Sequence, residues 1–287
     1  GGTDYNSIMD ELHEFVDMVF DKEATAIAYV EKIYRFFVKS EWDENIQNDI
    51  IYPLAQQLMS NNYEMLPIVT TLLSSQHFYD SDDSNPSDEI TGSIVKSPLQ
   101  LIATAINNFG FIIPSPIDDL DNYYRFSMYF LQNAYWPMAG MILFAPDTVA
   151  GYPAIYQAPD FDRQWFSSST ILARYRMIEC LITGRNALGQ NGQFGSALNS
   201  VSFVENNITS PQNLNNLIND LAEFLYPFSI DQDRINYFAE LVLDGYPDYY
   251  WTDTWNNYVA DGDSTIVKNR LDVLIGAMVN APENQLM

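Results

Sequence analysis

The chain has 287 residues, of which 47% are hydrophobic and 14% aromatic, so it is long enough to bury a large core and has the composition of a globular protein. Its 13 Lys and Arg residues stand against 38 Asp and Glu residues, which gives a formal net charge of −25 at pH 7. A field of that sign repels phosphate backbones and no basic stripe is present, so the composition excludes nucleic acid as a partner.

The residues that build metal sites and activated nucleophiles are scarce. Cys180 is the only cysteine, which excludes an intrachain disulfide and a cysteine-based metal site, and we expect it to be a small buried residue. The two histidines, His13 and His77, stand in no metal-binding spacing. No run approaches the roughly 20 apolar residues of a membrane span. The sequence therefore predicts no cofactor, no metal and no membrane span.

Apolar residues recur at helical spacing through most of the chain, and the fold class that we predict is all-α, a multi-helical globular domain with one long ordered loop. Period-two alternation long enough for a sheet is absent from the sequence. Ser97 and Gln100 form a capping box around Pro98, and Asp231 starts a later helix. The predicted helices cover residues 7–21, 23–39, 43–60, 63–76, 97–110, 119–135, 168–183, 210–225, 231–245 and 263–279.

An acidic stretch at residues 80–93 interrupts the helical pattern. Its carboxylates follow part of the spacing of an EF-hand calcium loop. Asn85 stands where that loop requires Gly, and Thr91 stands where it requires Glu, so we read the stretch as a solvated loop and keep calcium binding as the alternative.

A polar, Gly-rich stretch at residues 186–195 is the best candidate for a domain boundary. It divides the chain into residues 1–185, a helical core with a long loop, and residues 186–287, a set of C-terminal helices. We expect these helices to pack on the same domain.

Residues 141–185, the hallmark segment, join a long irregular loop to a helix. Pro146, Gly151 and Pro153 interrupt regular structure there. Ser168 or Ser169 is predicted to cap the helix, which runs to Thr183 and ends at Gly184. The density of aromatic residues indicates that the loop is ordered, since it holds Phe144, Tyr152, Tyr156, Phe161, Trp165 and Phe166.

The helix of the hallmark segment carries two arginines in different positions. Its apolar stripe places Arg174 on the flank and directs Arg176 away, so the spacing predicts a buried Arg174 and an exposed Arg176. A buried guanidinium needs partners, and the nearest candidates in sequence are Asp147, Asp160 and Asp162. Four of the 13 basic residues lie within this region, so we expect any bound anionic group here: Arg163, Arg174, Arg176 and Arg185.

The sequence Leu-Phe-Ala-Pro-Asp-Thr-Val-Ala-Gly-Tyr-Pro at residues 143–153, followed by Trp-Phe-Ser-Ser-Ser at residues 165–169 and the helix with Arg174, resembles a bacterial family known as domain of unknown function 1800. Members of that family carry a Leu-Phe-x-Pro-Pro-x-Val-x-Gly-Trp-Pro run and then Trp-Ile-x-Ser-Ser. Further resemblances lie at residues 32–38, 65–78 and in Lys96-Ser-Pro98. The chain departs from the pattern at Asp147, where the family has Pro, and at Tyr152, where it has Trp. Residues 154–163 look like an insertion relative to that pattern.

The resemblance covers residues 8–185 well, which corresponds to the C-terminal part of the family's usual length. It implies a protein of the periplasm or cell envelope without an established activity. We therefore predict a non-enzymatic protein that binds or scaffolds a partner, which is another exported protein or an N-terminal region that family members carry. The hallmark loop, residues 144–170, is the predicted docking surface, fixed from beneath by Arg174. The candidate binding residues are Asp147, Gly151, Tyr152, Arg163, Trp165, Ser168, Arg174 and Arg176.

Two other functions stay open at this point. Aromatic faces stack on sugar rings while Asp and Asn bind hydroxyls, so an aromatic stretch could form a carbohydrate-binding module, provided that its indole faces are open. That stretch holds Tyr249, Tyr250, Trp251 and Trp255. A hydrolase that uses acid and base carboxylates is the other alternative. The chain offers no distinguishing acid pair, so such a site would have to be completed by the N-terminal region.

Overall fold

A computed structural model of the chain describes residues 3–79, 90–183 and 198–287. The prediction of an all-α fold is confirmed. In these three ranges the backbone forms helices and two isolated β-bridges, Val95 with Leu286 and Thr148 with Gly151, and no strand. None of the described helices is long and apolar enough to cross a membrane.

The α-helices, in chain order, are α1 (Tyr5–Phe20), α2 (Glu23–Phe37), α3 (Glu44–Ile46), α4 (Tyr52–Ser60), α5 (Met65–Leu73), α6 (Pro98–Asn108), α7 (Leu120–Tyr123), α8 (Trp136–Met138), α9 (Pro153–Tyr156), α10 (Ile171–Thr183), α11 (Ser200–Asn207), α12 (Leu214–Leu225), α13 (Gln232–Leu243), α14 (Tyr249–Asp261) and α15 (Thr265–Val279). Wider π-helical turns at Gln47–Ile51 and Tyr124–Tyr135 join α3 to α4 and α7 to α8. Tight 3₁₀ turns form at Phe161–Trp165 and Pro282–Gln285.

The chain divides into two compact units, residues 1–94 and 95–287. The described helices before and after the sequence-predicted boundary at residues 185 and 186 share one core, so that boundary falls inside the second unit. The Gly-rich stretch that suggested it lies outside the described residues, as does Gly184.

The first unit is built around α2. Its residues Ala26, Val30 and Tyr34 are spaced four apart and fully buried, and they pack in one cluster with residues of α4 and α5. The Tyr34 hydroxyl and His77 Nε2 lie 2.8 Å apart in a hydrogen bond. Helix α1 buries none of its residues, although it is amphipathic.

The second unit is built around α15, which contacts α10, α11, α12, α13 and α14. Its buried face repeats Val267, Leu271, Leu274 and Met278, each of which is inaccessible to solvent. This is the i, i+4, i+7, i+11 pattern of a helix with one apolar stripe. Because five helices share this stripe, it organises the core that positions the candidate site.

Several helix boundaries differ from the sequence prediction. Helix α12 begins at Leu214 instead of following Ser210, because the side chain of Asn213 accepts a hydrogen bond from the Asn216 backbone N–H and caps it. The helix predicted over residues 119–135 continues to Met138, since Pro137 lies in the first turn of α8, where a missing N–H is tolerated. The structure also adds α9, α11 and α14 to the predicted helices.

Candidate functional site

Three segments of the second unit converge on Arg174: the start of α6, the first half of α10 and the 3₁₀ turn Pro282–Gln285. Arg174 is 0% exposed while Arg176 is exposed, so the predicted difference between the two arginines is confirmed. Arg174 Nε donates to Gln285 Oε1 at 2.8 Å, and Nη2 donates to the Lys96 carbonyl oxygen at 2.7 Å. One edge of the guanidinium is therefore held by two neutral acceptors.

The prediction that Asp147, Asp160 or Asp162 pairs with Arg174 is wrong. Asp147 and Asp160 are exposed, and Asp162 Oδ2 instead accepts from the Val95 backbone N–H at 2.8 Å. These carboxylates are near Arg174 in sequence, but the packing of α10 against α6 and α15 brings more distant acceptors to it. The buried charge therefore has hydrogen-bond partners without a counter-ion from the preceding loop.

Lys96 is the second buried cation of the site, with 6% of its surface exposed. Its Nζ donates to the Asn284 carbonyl oxygen at 3.0 Å, and its backbone N–H donates to the Gln285 carbonyl oxygen at 2.8 Å. Burial, and then the nearby charge of Arg174, lowers the pKa of Lys96 from 10.5 to about 8. Burial likewise lowers the pKa of Arg174 to about 10. Both cations are thus held where their charged forms are disfavoured.

Sequence reasoning did not select Lys96 as a functional residue. It appeared only in Lys96-Ser-Pro98, one of the family resemblances outside the hallmark segment. The predicted capping box explains its position, because Ser97 Oγ accepts from the Gln100 N–H and Gln100 Oε1 accepts from the Ser97 N–H. This fixed helix start sends the Lys96 side chain toward the 3₁₀ turn.

Two aromatic side chains surround the cations. The fully buried Tyr135 donates its hydroxyl to the Pro98 carbonyl oxygen at 2.9 Å, and burial raises its pKa. The ring of Phe166, with 36% exposure, lies 5.5 Å from the guanidinium carbon of Arg174. Through this cation–π contact the Arg174 guanidinium touches a residue of the hallmark loop that is partly at the surface.

The hallmark loop is ordered by a small core of its own. Met141, Ala154 and Trp165 are buried together, and the ring of Tyr152 packs 5.8 Å from that of Trp165. The Tyr152 hydroxyl donates to the Ile142 carbonyl oxygen. Two of the candidate binding residues, Tyr152 and Trp165, therefore stabilise the conformation of the loop.

Backbone geometry accounts for one more of the candidate residues, Gly151, and removes the predicted capping role of another, Ser168. Gly151 has φ +105°, a conformation that an L side chain rarely adopts. Ser167, and neither Ser168 nor Ser169, caps α10: its Oγ accepts from the Thr170 N–H at 3.2 Å, while Thr170 Oγ1 accepts from the Ser167 N–H at 3.0 Å. The prediction of a Ser168 or Ser169 cap is wrong by one or two positions, because three consecutive serines in a sequence do not show which of them lies at the helix cap.

The exposed part of the loop contains candidate polar residues and unpredicted apolar ones. Asp147, Arg163 and Ser168 are exposed. Besides Phe166, four large apolar side chains of the loop are exposed; we call them the apolar loop residues, and they are Phe144, Val149, Ile155 and Tyr156. Phe144 is 92% exposed and has φ +63°, which is uncommon for a bulky residue.

The aromatic stretch on α14 does not have the open faces that glycan stacking requires. Trp251 is 0% exposed and Trp255 is 5% exposed, and Trp251 Nε1 donates to the Pro211 carbonyl oxygen at 2.7 Å. The condition set for the carbohydrate-binding alternative, open indole faces, is not met, because positions i and i+4 of α14 face the core of the second unit. Tyr249 is exposed, but Tyr250 is half-buried and stacked on Tyr246 at 4.2 Å.

A third basic residue near the 3₁₀ turn, Arg234, is paired with a carboxylate. An open cavity of about 490 Å³ is lined in part by Arg234, Tyr237 and Glu283. Arg234 Nη2 donates to Glu283 Oε2 at 3.1 Å, and Arg234 Nε lies 2.8 Å from Oε1 in an ion pair. This pair contrasts with Lys96 and Arg174, which lie close in the same unit and have neutral acceptors.

The other residues considered for chemistry are Cys180, the residue types that bind metals, and the acidic stretch. Cys180 is buried as expected, and burial raises the pKa of its thiol to about 11, which leaves little thiolate at neutral pH. Within the described ranges no three His, Cys, Asp or Glu side chains converge as metal ligands do. Most of the acidic stretch, residues 80–89, lies outside those ranges, and so does Arg185, so calcium binding stays untested.

The chain matches a known protein family. The profile of a family described as "Protein of unknown function (DUF1800)" matches residues 2–286. No curated protein and no solved structure matches the chain. The matched range extends well beyond residues 8–185, and it includes all three segments that meet at Arg174.

Proposed function

Since the chain belongs to the DUF1800 family of proteins of unknown function, we propose from its geometry that it is a non-enzymatic binding or scaffolding protein. Its partner is another protein, which docks on the hallmark loop. The resemblance of its motifs to those of an exported family supports the periplasm or cell envelope as its location, and another exported protein as that partner.

The observation that carries this proposal is the conformation of Phe144. A bulky residue at positive φ costs on the order of 1–2 kcal/mol relative to an ordinary backbone conformation. Here that conformation directs an aromatic ring into solvent, with 92% of the residue exposed. Strain that presents an apolar ring to water does not stabilise the isolated chain, and it is accounted for if the ring is an anchor for a partner.

The rest of the loop supports the same function. Thr148 Oγ1 donates to the Gly151 carbonyl oxygen at 2.9 Å and lies 3.2 Å from the Tyr156 hydroxyl. With Trp165 buried beneath, these bonds hold the apolar loop residues in fixed positions before any partner arrives. A preformed surface loses less conformational entropy on binding, which raises affinity for a given contact area.

The expected contribution of Phe144 is large for one residue. An aromatic side chain buries about 150–250 Å² at an interface, which at about 25 cal/mol per Å² corresponds to about 4–6 kcal/mol before the costs of association. Its truncation should therefore weaken a complex by about 2 kcal/mol or more, the range of an interface hot spot.

Site-specific photocrosslinking tests the proposal. A benzophenone amino acid is introduced at position 144 or 149 of the full chain in cells that produce it, and at Val259 on α14 as the matched control, since Val259 is also exposed, at 68%. We expect positions 144 and 149 to crosslink to one shared protein that position 259 does not reach.

The identified protein is then purified and titrated with the chain. Phe144→Asp should weaken the complex at least 30-fold while Val259→Asp leaves it unchanged, and neither should lower thermal stability greatly, because both side chains are exposed. Equal crosslinking from positions 144 and 259, or no product from positions 144 and 149, would show that the loop is not a docking surface.

A further inference from the structure

We propose that Lys96 and Arg174 form a binding site for a small, doubly charged oxyanion of the phosphate or sulfate type. The site lies inside the second unit, and it is independent of the partner binding proposed for the loop surface. It rests on the two buried positive charges, on the hydrogen-bond donors that lack partners, and on the aromatic ring that covers the guanidinium.

The charge balance requires a negative group. Taking a cation from water into a protein interior costs several kcal/mol unless an opposite charge is supplied. Lys96 and Arg174 are both buried, and the groups that accept their hydrogen bonds are two backbone carbonyls and one amide oxygen. In the part of the chain that the structure describes, no carboxylate pairs with either of them. The protein has 38 acidic residues, so the lack of a paired carboxylate at this position does not arise from a shortage of acidic residues in the chain.

The start of α6 adds to the positive potential. This helix has 11 residues and begins at Pro98, two positions after Lys96. Its macrodipole places about half a positive charge at that end. A helix N-terminus next to two cations is unfavourable for the cations and favourable for a bound anion.

Unused donors point to the same ligand. Arg174 Nη1 and Gln285 Nε2 are buried atoms without a hydrogen-bond partner in the described structure. The orientation of the Gln285 amide is fixed, because its oxygen accepts from Arg174 Nε and the nitrogen must take the other position. Lys96 Nζ has one acceptor for its three protons. An oxyanion accepts from several such donors at once, and two negative charges match the two cations.

Phe166 provides a route to the interior. Its ring covers the guanidinium of Arg174 at 5.5 Å, and 36% of the residue is exposed. It also packs edge-on against Tyr175 at 6.4 Å. Rotation of this partly exposed ring would open Arg174 without displacing the helices.

The test uses the full chain at pH 7 and constant ionic strength, with thermal unfolding followed as sodium sulfate replaces sodium chloride. Sulfate stabilises most proteins weakly and linearly by exclusion from their surface. We expect an additional saturable rise in melting temperature for the wild-type chain, which inorganic phosphate reproduces and acetate does not. Lys96→Met fills the same space without the charge, and it should weaken the saturable binding by about 10- to 100-fold, the effect of losing one charged hydrogen bond.

Lys268→Met is the matched control, because Lys268 belongs to the same unit and pairs with Asp272 at the surface. It should leave the saturable component unchanged. Phe166→Ala should speed sulfate association measured by stopped flow. A purely linear response of the wild-type chain, or an equal saturable response in Lys96→Met, would overturn the proposal, and an unchanged association rate in Phe166→Ala would overturn the access route.

Discussion

The buried lysine should make the stability of the second unit depend on pH in a direction that is unusual for a lysine. A lysine that gains a carboxylate partner on folding loses stabilisation as the pH rises, whereas Lys96 is buried beside another cation and its pKa falls from 10.5 to about 8. Between those two values the unfolded chain binds more protons than the folded one, so the free energy of unfolding rises with pH in that window.

The size of the effect follows from the two pKa values. The fall from 10.5 to about 8 corresponds to roughly 3 kcal/mol of destabilisation at low pH, at about 1.4 kcal/mol for each pH unit. Integrated from pH 7 to pH 9.5, about 2 kcal/mol of this penalty should disappear. Above that range other groups interfere, because the pKa of Arg174 is lowered to about 10 and that of Tyr135 is raised, both through burial.

Urea unfolding of the wild-type chain and of Lys96→Met at pH 7 and pH 9.5, without sulfate or phosphate, measures the effect. Tryptophan fluorescence is a suitable probe, because four of the five tryptophans lie in the second unit and Trp42 is the exception. The wild-type free energy of unfolding should rise relative to that of Lys96→Met by about 2 kcal/mol, and Lys96→Met should be the more stable protein at pH 7. Parallel pH profiles of the two proteins would refute the reasoning, since they would mean that Lys96 is solvated or paired.

Three further outcomes can be measured with single variants. Arg174→Ala should cost about 2–4 kcal/mol in urea unfolding, because it leaves a cavity and two acceptors without donors, while exposed Arg176→Ala should cost under about 0.5 kcal/mol; equal small losses would contradict the burial of Arg174. Gly151→Ala should cost at least about 1 kcal/mol, since φ is +105° there, and a neutral result would show that this turn relaxes. Cys180 should react with a thiol reagent in the native chain far more slowly than in urea, because burial raises its pKa to about 11; fast native labelling would show that the thiol is reachable.

The sequence was sufficient for features that depend on neighbours within one or two turns. The capping box at Ser97 and the helix start at Asp231 formed as predicted, because the donor and the acceptor lie three residues apart. The burial of Arg174 also follows from helical periodicity, which fixes the direction of a side chain relative to the apolar stripe.

The partners of Arg174 could not be predicted in the same way. Its acceptors lie 111 and 78 residues away along the chain, at Gln285 and Lys96, while the nearer carboxylates point elsewhere. Periodicity states which face of a helix is buried, and it does not state which segment covers that face. The same limit explains Trp251 and Trp255, whose composition suits both a sugar platform and a core, and which the packing around α15 assigned to the core.

The 3₁₀ turn Pro282–Gln285 has a consequence for the order in which the protein is made. Lys96 Nζ obtains its acceptor from Asn284, 188 residues later in the chain. At translation rates of about 5–20 residues per second, that acceptor leaves the peptidyl transferase centre about 10–40 s after Lys96 does. During this interval both cations must stay hydrated, so the region around the starts of α6 and α10 should remain open on the ribosome. A nascent chain stalled before residue 282 should accordingly be cleaved there by proteases, and the completed chain should resist them.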